Sequence, residues 1–398
     1  MESVLSIEKR NKVLLSMATL VHQGQTEILK ANLKDMSGFD NNDLAMYDRL
    51  KVDEEKIAGM VNSLRQLAGQ NDPVGVERFH FTHENGLEIY NRTASFGTVM
   101  IIYESRPDVT IEAGGIAFKS GNKILLKGGK ESLNSNLVLV DLWHKALTEH
   151  EISKDWVQYL NFNREQTRDY LINPDQKIDL IIPRGGEKLI AFVQEHATCP
   201  VIVSGRGNNF VYVSDEADKE KALQIIFNAK TDKISACNAL DKVLVNKKIP
   251  GYKVFIQTLI DHLKGSKVQV LTDEGLGHFE GAEPVSDEKQ WYEEFLDYKI
   301  LIGATESAEE AISFINRFGG GHSAAIISEN KLEANNFLSA VDAAAVYHNA
   351  STRFTDGFQF GLGGELAIST DKLHQRGPIG LQHLVTNKWY VYGNGQIR

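Results

Sequence analysis

Residues 98–127 read TVMIIYESRPDVTIEAGGIAFKSGNKILLK. The two ends, TVMIIY and KILLK, are short apolar runs without a polar face, as expected of strands buried on both sides. The stretch between them is long enough for one crossover helix, which makes a βαβ unit of a parallel sheet. The alternation continues through WVQYL, IDLII and PVIV, separated by amphipathic stretches such as ESLNSNLVLVDLWHKALTEH, and predicts a doubly wound α/β domain. After FVYVSDEADKEKALQIIFNAK it restarts with LDKVLVNKKI, a helix near 254–263, and VQVL. A second α/β unit is therefore expected, with a boundary near Thr231.

Towards the N-terminus the period changes. From Ser6 to Ala68 apolar residues recur at helical spacing, most clearly Ile57, Met60, Val61, Leu64 and Leu67, with Asp53 as the cap and Gly69 and Pro73 as the stop. Residues 79–93, FHFTHENGLEIYNRT, alternate around Asn85-Gly86 and predict a hairpin whose two turn residues both take positive φ. A lone hairpin is marginal in water, so this arm is expected to pack on something, such as another subunit. The acidic, glycine-bearing stretch 272–289 reads as a surface loop or edge segment.

The 398 residues suggest two or three domains. Acids outnumber bases 53 to 43, for a formal charge of −10, which argues against a nucleic-acid or anionic-membrane partner. No long uninterrupted apolar run is present, and the N-terminus mixes charges into its apolar residues. A soluble cytoplasmic protein is expected.

The two cysteines, Cys199 and Cys237, are too few for a disulfide framework or a thiolate zinc site. Cys199 precedes a proline and an apolar run, a normal place for a small buried thiol. Cys237 lies in NAKTDKISACNALDKVLV, a polar segment between helix and strand, with Lys230 and Lys233 near it to favour a thiolate. It also sits at the expected junction of two α/β units, where ligands commonly bind. No GxGxxG follows a strand and no GxxxxGK[ST] occurs, so phosphates would be held by less regular turns. Candidates are Gly128-Gly129 and Arg184-Gly185-Gly186, each opening a helix whose amides can face an anion, although such turns also serve merely to join strand to helix. The histidines, His322 in HSAA among them, lack metal-ligand spacing, and no metal is assigned.

Taken together, VMIIYESRPDVTIEA, FKSGNKILLKGGKES, IDLIIPRGG, NAKTDKISACNALDKVLV, GGGHSAAIISEN and VYHNASTRFTDGFQFGLGGELAISTDKLHQRGPIGL resemble the γ-glutamyl phosphate reductases, or glutamate-5-semialdehyde dehydrogenases, a branch of the aldehyde dehydrogenase superfamily. The resemblance runs from about Asp72 to the C-terminus. It implies an aldehyde dehydrogenase-like fold of two doubly wound α/β domains with a β-hairpin oligomerisation arm. It also implies NADPH-dependent reduction of γ-glutamyl 5-phosphate to glutamate 5-semialdehyde and phosphate, a step of proline biosynthesis. Cys237 matches the family nucleophile, which forms a thioester. Ser105 aligns with the superfamily asparagine that stabilises the oxyanion alongside the backbone amide of the cysteine. Arg106 is implied as a phosphate ligand, and Asn349, Ser351, Arg353 and Asp356 as contacts to the amino-acid end of the substrate, with Arg353 on its carboxylate and Asp356 on its ammonium. Lys127 matches the lysine on the adenine ribose and Glu294 the glutamate on the nicotinamide ribose. Arg184, Gly185 and Gly186 complete the coenzyme set. Lys130 stands where NAD-preferring relatives carry an acid, and a cation there suits the 2′-phosphate of NADPH.

Ile202 occupies the place of the glutamate with which oxidising relatives activate water, so the thioester is expected to be protected. The chain departs from the family pattern at Asn208-Asn209-Phe210, where Cys-His is frequent before the strand, at Ser95-Phe96-Gly97, and at Asp241 in place of Glu. The implied organisation is a coenzyme domain over 1–230 with the arm at 79–93, and a catalytic domain over 231–348. A segment over 349–398 then carries the substrate loop, a return to the coenzyme domain and an oligomerisation strand within 388–398. The active site is expected between the domains. A homo-oligomer is implied, and glutamate kinase is the second candidate partner. The competing readings are an aldehyde dehydrogenase of another substrate class and a non-catalytic partner of glutamate kinase.

Overall fold

The structure, a computed structural model, describes residues 5–39 and 44–398. The chain divides into two compact units. One comprises the part up to Val203 with Gly361–Ala367 and Pro378–Arg398; the other comprises Ser204–Phe360 and Ile368–Gly377.

The first unit opens with α1 (Ile7–Gln23), α2 (Gln25–Ser37), α3 (Leu44–Leu50) and α4 (Glu54–Gly69). Ser6 and Asp53 cap α1 and α4 by accepting from the amides of Lys9 and Lys56, as their side chains allow. Residues 40–43 of the expected helical stretch lie outside the described residues. The spaced set Ile57 to Leu67 is buried against Val13, Leu14, Met17 and Ile116. The hairpin follows as β1 (Glu77–Thr82) and β2 (Glu88–Ser95). Its turn differs from the expectation. His83 and Leu87 close a longer loop, Gly86 N donates to the His83 carbonyl at 2.8 Å, and only Gly86, at φ 84°, is left-handed. The extra residues form a glycine bulge, so Asn85 needs no positive φ.

Next come β3 (Thr98–Tyr103), α5 (Val109–Lys119), β4 (Lys123–Lys127), α6 (Leu133–Glu149), β5 (Val157–Tyr159), α7 (Arg164–Ile172), β6 (Leu180–Arg184) and α8 (Glu187–His196). The four strands form a parallel sheet in the order β5-β4-β3-β6. Alternate residues of β3 serve two cores. Val99, Ile101 and Tyr103 pack with α1, α4, α5 and α6, whereas Met100 and Ile102 pack with Tyr170, Leu171 and Val193 of α7 and α8. Both faces are covered, which is why the strands carry no polar side. The expected strand PVIV shrinks to a single bridge between Val201 and Ile181, because Pro200 cannot donate and the chain leaves this unit at Val203.

The second unit holds β7 (Asn209–Val213), α9 (Lys219–Thr231), β8 (Leu240–Asn246), α10 (Tyr252–Gly265), β9 (Gln269–Thr272), β10 (Glu283–Pro284), β11 (Lys299–Thr305), α11 (Ala308–Phe318), β12 (Ser323–Ile327), α12 (Lys331–Ala340) and β13 (Ala345–His348). Its strands pair in parallel in the order β10-β9-β11-β8-β7-β12-β13. The break between units therefore falls after Val203 rather than at Thr231. Strand β7 pairs with β8, Val211 opposite Val243, and with β12, and this carries α9 into the second unit. The acidic stretch 272–289 supplies the edge strand β10.

Beyond Phe360 the chain alternates between the units: β14 (Ala367–Ser369) begins in the first and ends in the second, β15 (Gly377–Ile379) begins in the second and ends in the first, and β16 (Val385–Tyr392) belongs to the first. Strand β16 runs antiparallel to β2 from Val385 opposite Ser95 to Tyr392 opposite Glu88, making the arm three-stranded. It begins three residues before the expected Lys388 and stops at Tyr392. Phe79, Phe81, Ile89, Trp389 and Val391 share one face by register, and all but Ile89 are about half exposed.

Two buried lysines flank the start of β8. Lys230 at the end of α9 pairs with Asp241 at 3.0 Å, both almost fully buried, and Asp241 also accepts from the amide of Phe295. Lys242, fully buried, donates to the Glu293 carbonyl at 2.8 Å and lies 3.5 Å over the Phe295 ring, and burial pushes it down from 10.5 to about 7. The unfolded chain thus binds a proton that the folded chain has released between about pH 7 and 10.5, so stability rises with pH across that window. Urea denaturation should show a rise approaching about 1 kcal/mol per pH unit between pH 7 and 10. Lys242→Met should reduce the slope, the remainder coming from Lys119 and Lys230, which burial also lowers, and an equal slope in the variant would remove Lys242 from the cause.

Candidate functional site

Cys237 lies in the loop between α9 and β8, half-buried, on a backbone folded into tight turns by Ala236 N to Lys233 O and Ala239 N to Ala236 O. Asn209 supports this loop from below. The register of β7 against β8 shifts between Asn209 and Phe210. The fully buried Asn209 side chain donates through Nδ2 to the carbonyls of Cys237 at 2.8 Å, Ala239 at 2.6 Å and Gly207 at 2.8 Å, and accepts from Ser323 N at 3.1 Å. Asn208 ties the same stretch to the carbonyls of Trp291 at 2.7 Å and Phe318 at 2.9 Å. The departure at Asn208-Asn209 is thus the brace of the cysteine loop. Only its two adjacent side-chain amides before a strand hinted at this, because a side-chain amide is the group able to bridge several backbone carbonyls.

From the other side, Asn238 donates to the carbonyls of Arg353 at 3.2 Å and Thr355 at 2.9 Å, while the Thr352 hydroxyl donates to the Asn238 carbonyl at 2.8 Å. Arg353 donates to Asn238 Oδ1 and pairs with Asp232 at 3.0 Å. The segment 349–356 is therefore fastened to the cysteine loop. The structure differs from the expected substrate contacts in a specific way. The Arg353 guanidinium already faces Asp232, and the Asp356 carboxylate accepts from Phe358 N at 2.9 Å and Gln359 N at 3.2 Å, closing its own turn. Asn349, left-handed at φ 52°, bonds the amide and carbonyl of Ser328 at 3.0 Å each, and Ser351 caps the short helix Thr352–Phe354. Lys230 pairs with Asp241, and Lys233 is exposed.

Glu294 belongs to the same neighbourhood. A Cβ built on Gly207 would collide with both the Cys237 carbonyl and Glu294 Oε1, so Gly207 is the residue that lets these groups come close.

The coenzyme candidates of the first unit gather at the carboxyl ends of β3, β4 and β6, where open parallel sheets bind nucleotides. Lys127 donates to the Gly128 carbonyl at 2.8 Å, and burial lowers its pKa against the opposing pull of Glu131 and Glu104. Lys130 is exposed. A Cβ on Gly128 would collide with Asn136 and Tyr159, so this glycine serves close packing within the chain, whereas the space beside Gly186, at the start of α8, is open. Both turns carry carboxylates of the chain itself. Glu104 accepts from Gly186 N at 3.1 Å and fills the space beside Gly185, and Glu131 accepts from both the amide and the hydroxyl of Ser105, at 2.7 and 2.9 Å. Ser105 is buried and left-handed at φ 46°. Its hydroxyl, expected at an oxyanion, is spent on Glu131. Arg106 and Arg184 act on Glu112, whose carboxyl is raised to about 7 chiefly by burial and then by Asp108.

Ile202 is buried in the apolar core of the first unit. Cys199 packs against Met100, Ile181 and Val193, and burial, then Asp179, pushes its thiol up.

The model of the aldehyde dehydrogenase family matches residues 3–278. The γ-glutamyl phosphate reductase of Enterococcus faecalis is 41% identical over 398 residues, covering 99% of this chain and 95% of that protein. The one from Carboxydothermus hydrogenoformans is 42% identical over 396 residues, covering 99% and 95%. Among solved structures, γ-glutamyl phosphate reductase from Thermotoga maritima superposes with a TM-score of 0.92 at 39% identity, covering 99% of this chain and 95% of that one. An acetylating aldehyde dehydrogenase from Geobacillus thermoglucosidasius shares the fold at a TM-score of 0.72 and 17% identity, over 99% of this chain and 93% of that one. The chain belongs to the aldehyde dehydrogenase family, in its γ-glutamyl phosphate reductase branch.

Proposed function

We propose that this enzyme reduces γ-glutamyl phosphate to glutamate 5-semialdehyde and inorganic phosphate, the step named by its relatives, through a thioester on Cys237 and with NADPH. The observation that carries this reading is the bracing of one half-buried cysteine from two sides, by Asn209 and by Asn238 with Arg353. The Cys237 thiolate attacks the acyl carbonyl carbon; the carbon–sulfur bond forms, the carbon–oxygen bond to phosphorus breaks, and phosphate departs. Phosphate is a good leaving group, so no general acid has to be found. The Cys237 amide is one proposed donor to the developing oxyanion. Ser105 is the other, and its bond to Glu131 must open to provide it. With the apolar Ile202 in place of a base, water near the thioester is not activated.

When bound, the reduced coenzyme supplies the hydride that converts the thioester to the aldehyde. Lys127, Lys130, Arg184, Gly185, Gly186 and Glu294 are the residues that would hold it. Arg106 is proposed for the phosphate, and Asn349, Ser351, Arg353 and Asp356 for the amino-acid end. An incoming substrate carboxylate would compete with Asp232 for Arg353. One observation favours NADH instead. Glu131 and Glu104 both act on Lys127, and a carboxylate there would repel a 2′-phosphate.

The reaction run backwards decides between the readings. Pyrroline-5-carboxylate, phosphate and NADP⁺ should yield reduced coenzyme only when phosphate is present. Turnover without phosphate would assign another aldehyde dehydrogenase activity, and no turnover would leave a non-catalytic partner. Cys237→Ala should lose activity at least 1000-fold and Cys199→Ala less than twofold; comparable losses would remove Cys237 from its role. Lys130→Glu should lower the ratio of kcat/KM for NADPH over NADH at least tenfold, and an unchanged ratio would assign coenzyme choice to Glu131. The apolar face of the arm is proposed to bury itself in a homo-oligomer. Phe81→Asp with Trp389→Asp should reduce the molar mass in light scattering, and an unchanged mass would free the arm of that role.

A further inference from the structure

His322, Ser323, Thr355 and Tyr347 take no part in the chemistry above, yet they join the two braces of the cysteine loop. His322 precedes β12 and is 1% exposed. Its Nδ1 lies 2.8 Å from the Ser323 hydroxyl, which lies 2.7 Å from the Thr355 hydroxyl, which lies 2.6 Å from the Tyr347 phenol. The backbone of the same residues closes the circuit. Ser323 N donates to Asn209 Oδ1 at 3.1 Å, and Asn209 donates to the Cys237 carbonyl at 2.8 Å. The Thr355 carbonyl accepts from Asn238 at 2.9 Å. A closed loop of hydrogen bonds thus runs from the Cys237 carbonyl through Asn209, Ser323, Thr355 and Asn238 back to the residue after the cysteine. Asn209, Ser323, Thr355 and Asn238 are all buried, so each bond is short of competing water and costly to leave unmade.

We infer that the Ser323–Thr355 hydroxyl pair, ordered by His322, is a positioning element that sets where the Cys237 backbone stands relative to segment 349–356. A hydroxyl donates once, so the chain of three needs a direction. The phenol is the strongest donor and starts it, giving to Thr355, which gives to Ser323, which gives to the Nδ1 lone pair of His322. That terminus requires a neutral ring. Burial provides it, pushing the imidazole down to about 4. The ring proton then sits on Nε2, which is buried without a hydrogen-bond partner among the described residues. A lysine or arginine at this position could not accept, and the order of donors would reverse.

The inference rests on Cys237 being the nucleophile, and the test separates the two. Thr355→Val keeps the shape and the backbone carbonyl but removes the hydroxyl; Thr355→Ser restores it; Ser323→Ala removes the other hydroxyl should Thr355→Val fail to fold. In full-length protein carrying Cys199→Ala, the rate of Cys237 alkylation by iodoacetamide, read by mass spectrometry, should change at least threefold in Thr355→Val and Ser323→Ala and return in Thr355→Ser. In turnover of the acyl phosphate, kcat should fall at least tenfold with KM within twofold, again returning in Thr355→Ser. Wild-type kcat and alkylation rate in both variants would overturn the inference, as would a loss that appears in KM alone or that Thr355→Ser does not restore. If the unaltered enzyme does not turn over the acyl phosphate, the functional reading fails while the alkylation rates still decide the positioning role.

Discussion

A sulfur on a loop stands only as still as the backbone beneath it, and one buried carboxamide carries much of the backbone around Cys237. Asn209 spends Nδ2 on the carbonyls of Cys237, Ala239 and Gly207 and Oδ1 on the amide of Ser323. Three unrelated stretches thereby meet at one side chain. A buried carbonyl without a partner costs roughly 1–3 kcal/mol, so these stretches cannot drift apart cheaply. The irregular register at the start of β7 releases Asn209 from the regular ladder and makes the arrangement possible.

Several charges around the candidate site are paired within the chain itself. Lys230 answers Asp241, Arg353 answers Asp232, Glu104 accepts from the Gly186 amide, and Glu131 accepts from the amide and hydroxyl of Ser105. An anion entering the Gly185-Gly186 turn would exchange partners with Glu104 rather than fill an uncompensated positive field. Binding is then a difference between two sets of charge-assisted hydrogen bonds, which favours selectivity over raw affinity.

Much of the architecture was legible in the sequence because the signals were local. Runs such as TVMIIY and KILLK, the Asp53 cap and the spacing of Ile57 to Leu67 each report a property of a few adjacent residues. The boundary between units was not legible at Thr231, since strand FVYV looks the same whichever sheet it joins and only its pairing with β8 and β12 decides. The turn at Asn85 was misjudged because loop length, not the dipeptide alone, selects the turn type. At the site, local composition only set Cys237 apart from Cys199, and the resemblance carried its expected role and the remaining assignments. The partners of Lys230, Arg353 and Asp356 were hidden, because an ion pair or a capped turn depends on where distant segments arrive. Asn209 and the hydroxyls of Ser323 and Thr355 were missed for the same reason.

The first unit is closed by the last residues of the chain. Leu366, Ile379, Leu381 and Leu384 complete its main core, Asn122 donates to the Leu384 carbonyl at 3.0 Å, and β16 finishes the arm. During synthesis on the ribosome the second unit is therefore complete in sequence while the first still lacks part of its interior. The N-terminal half must wait with exposed leucines until residues 366–392 have been made, which makes it the portion most dependent on chaperones.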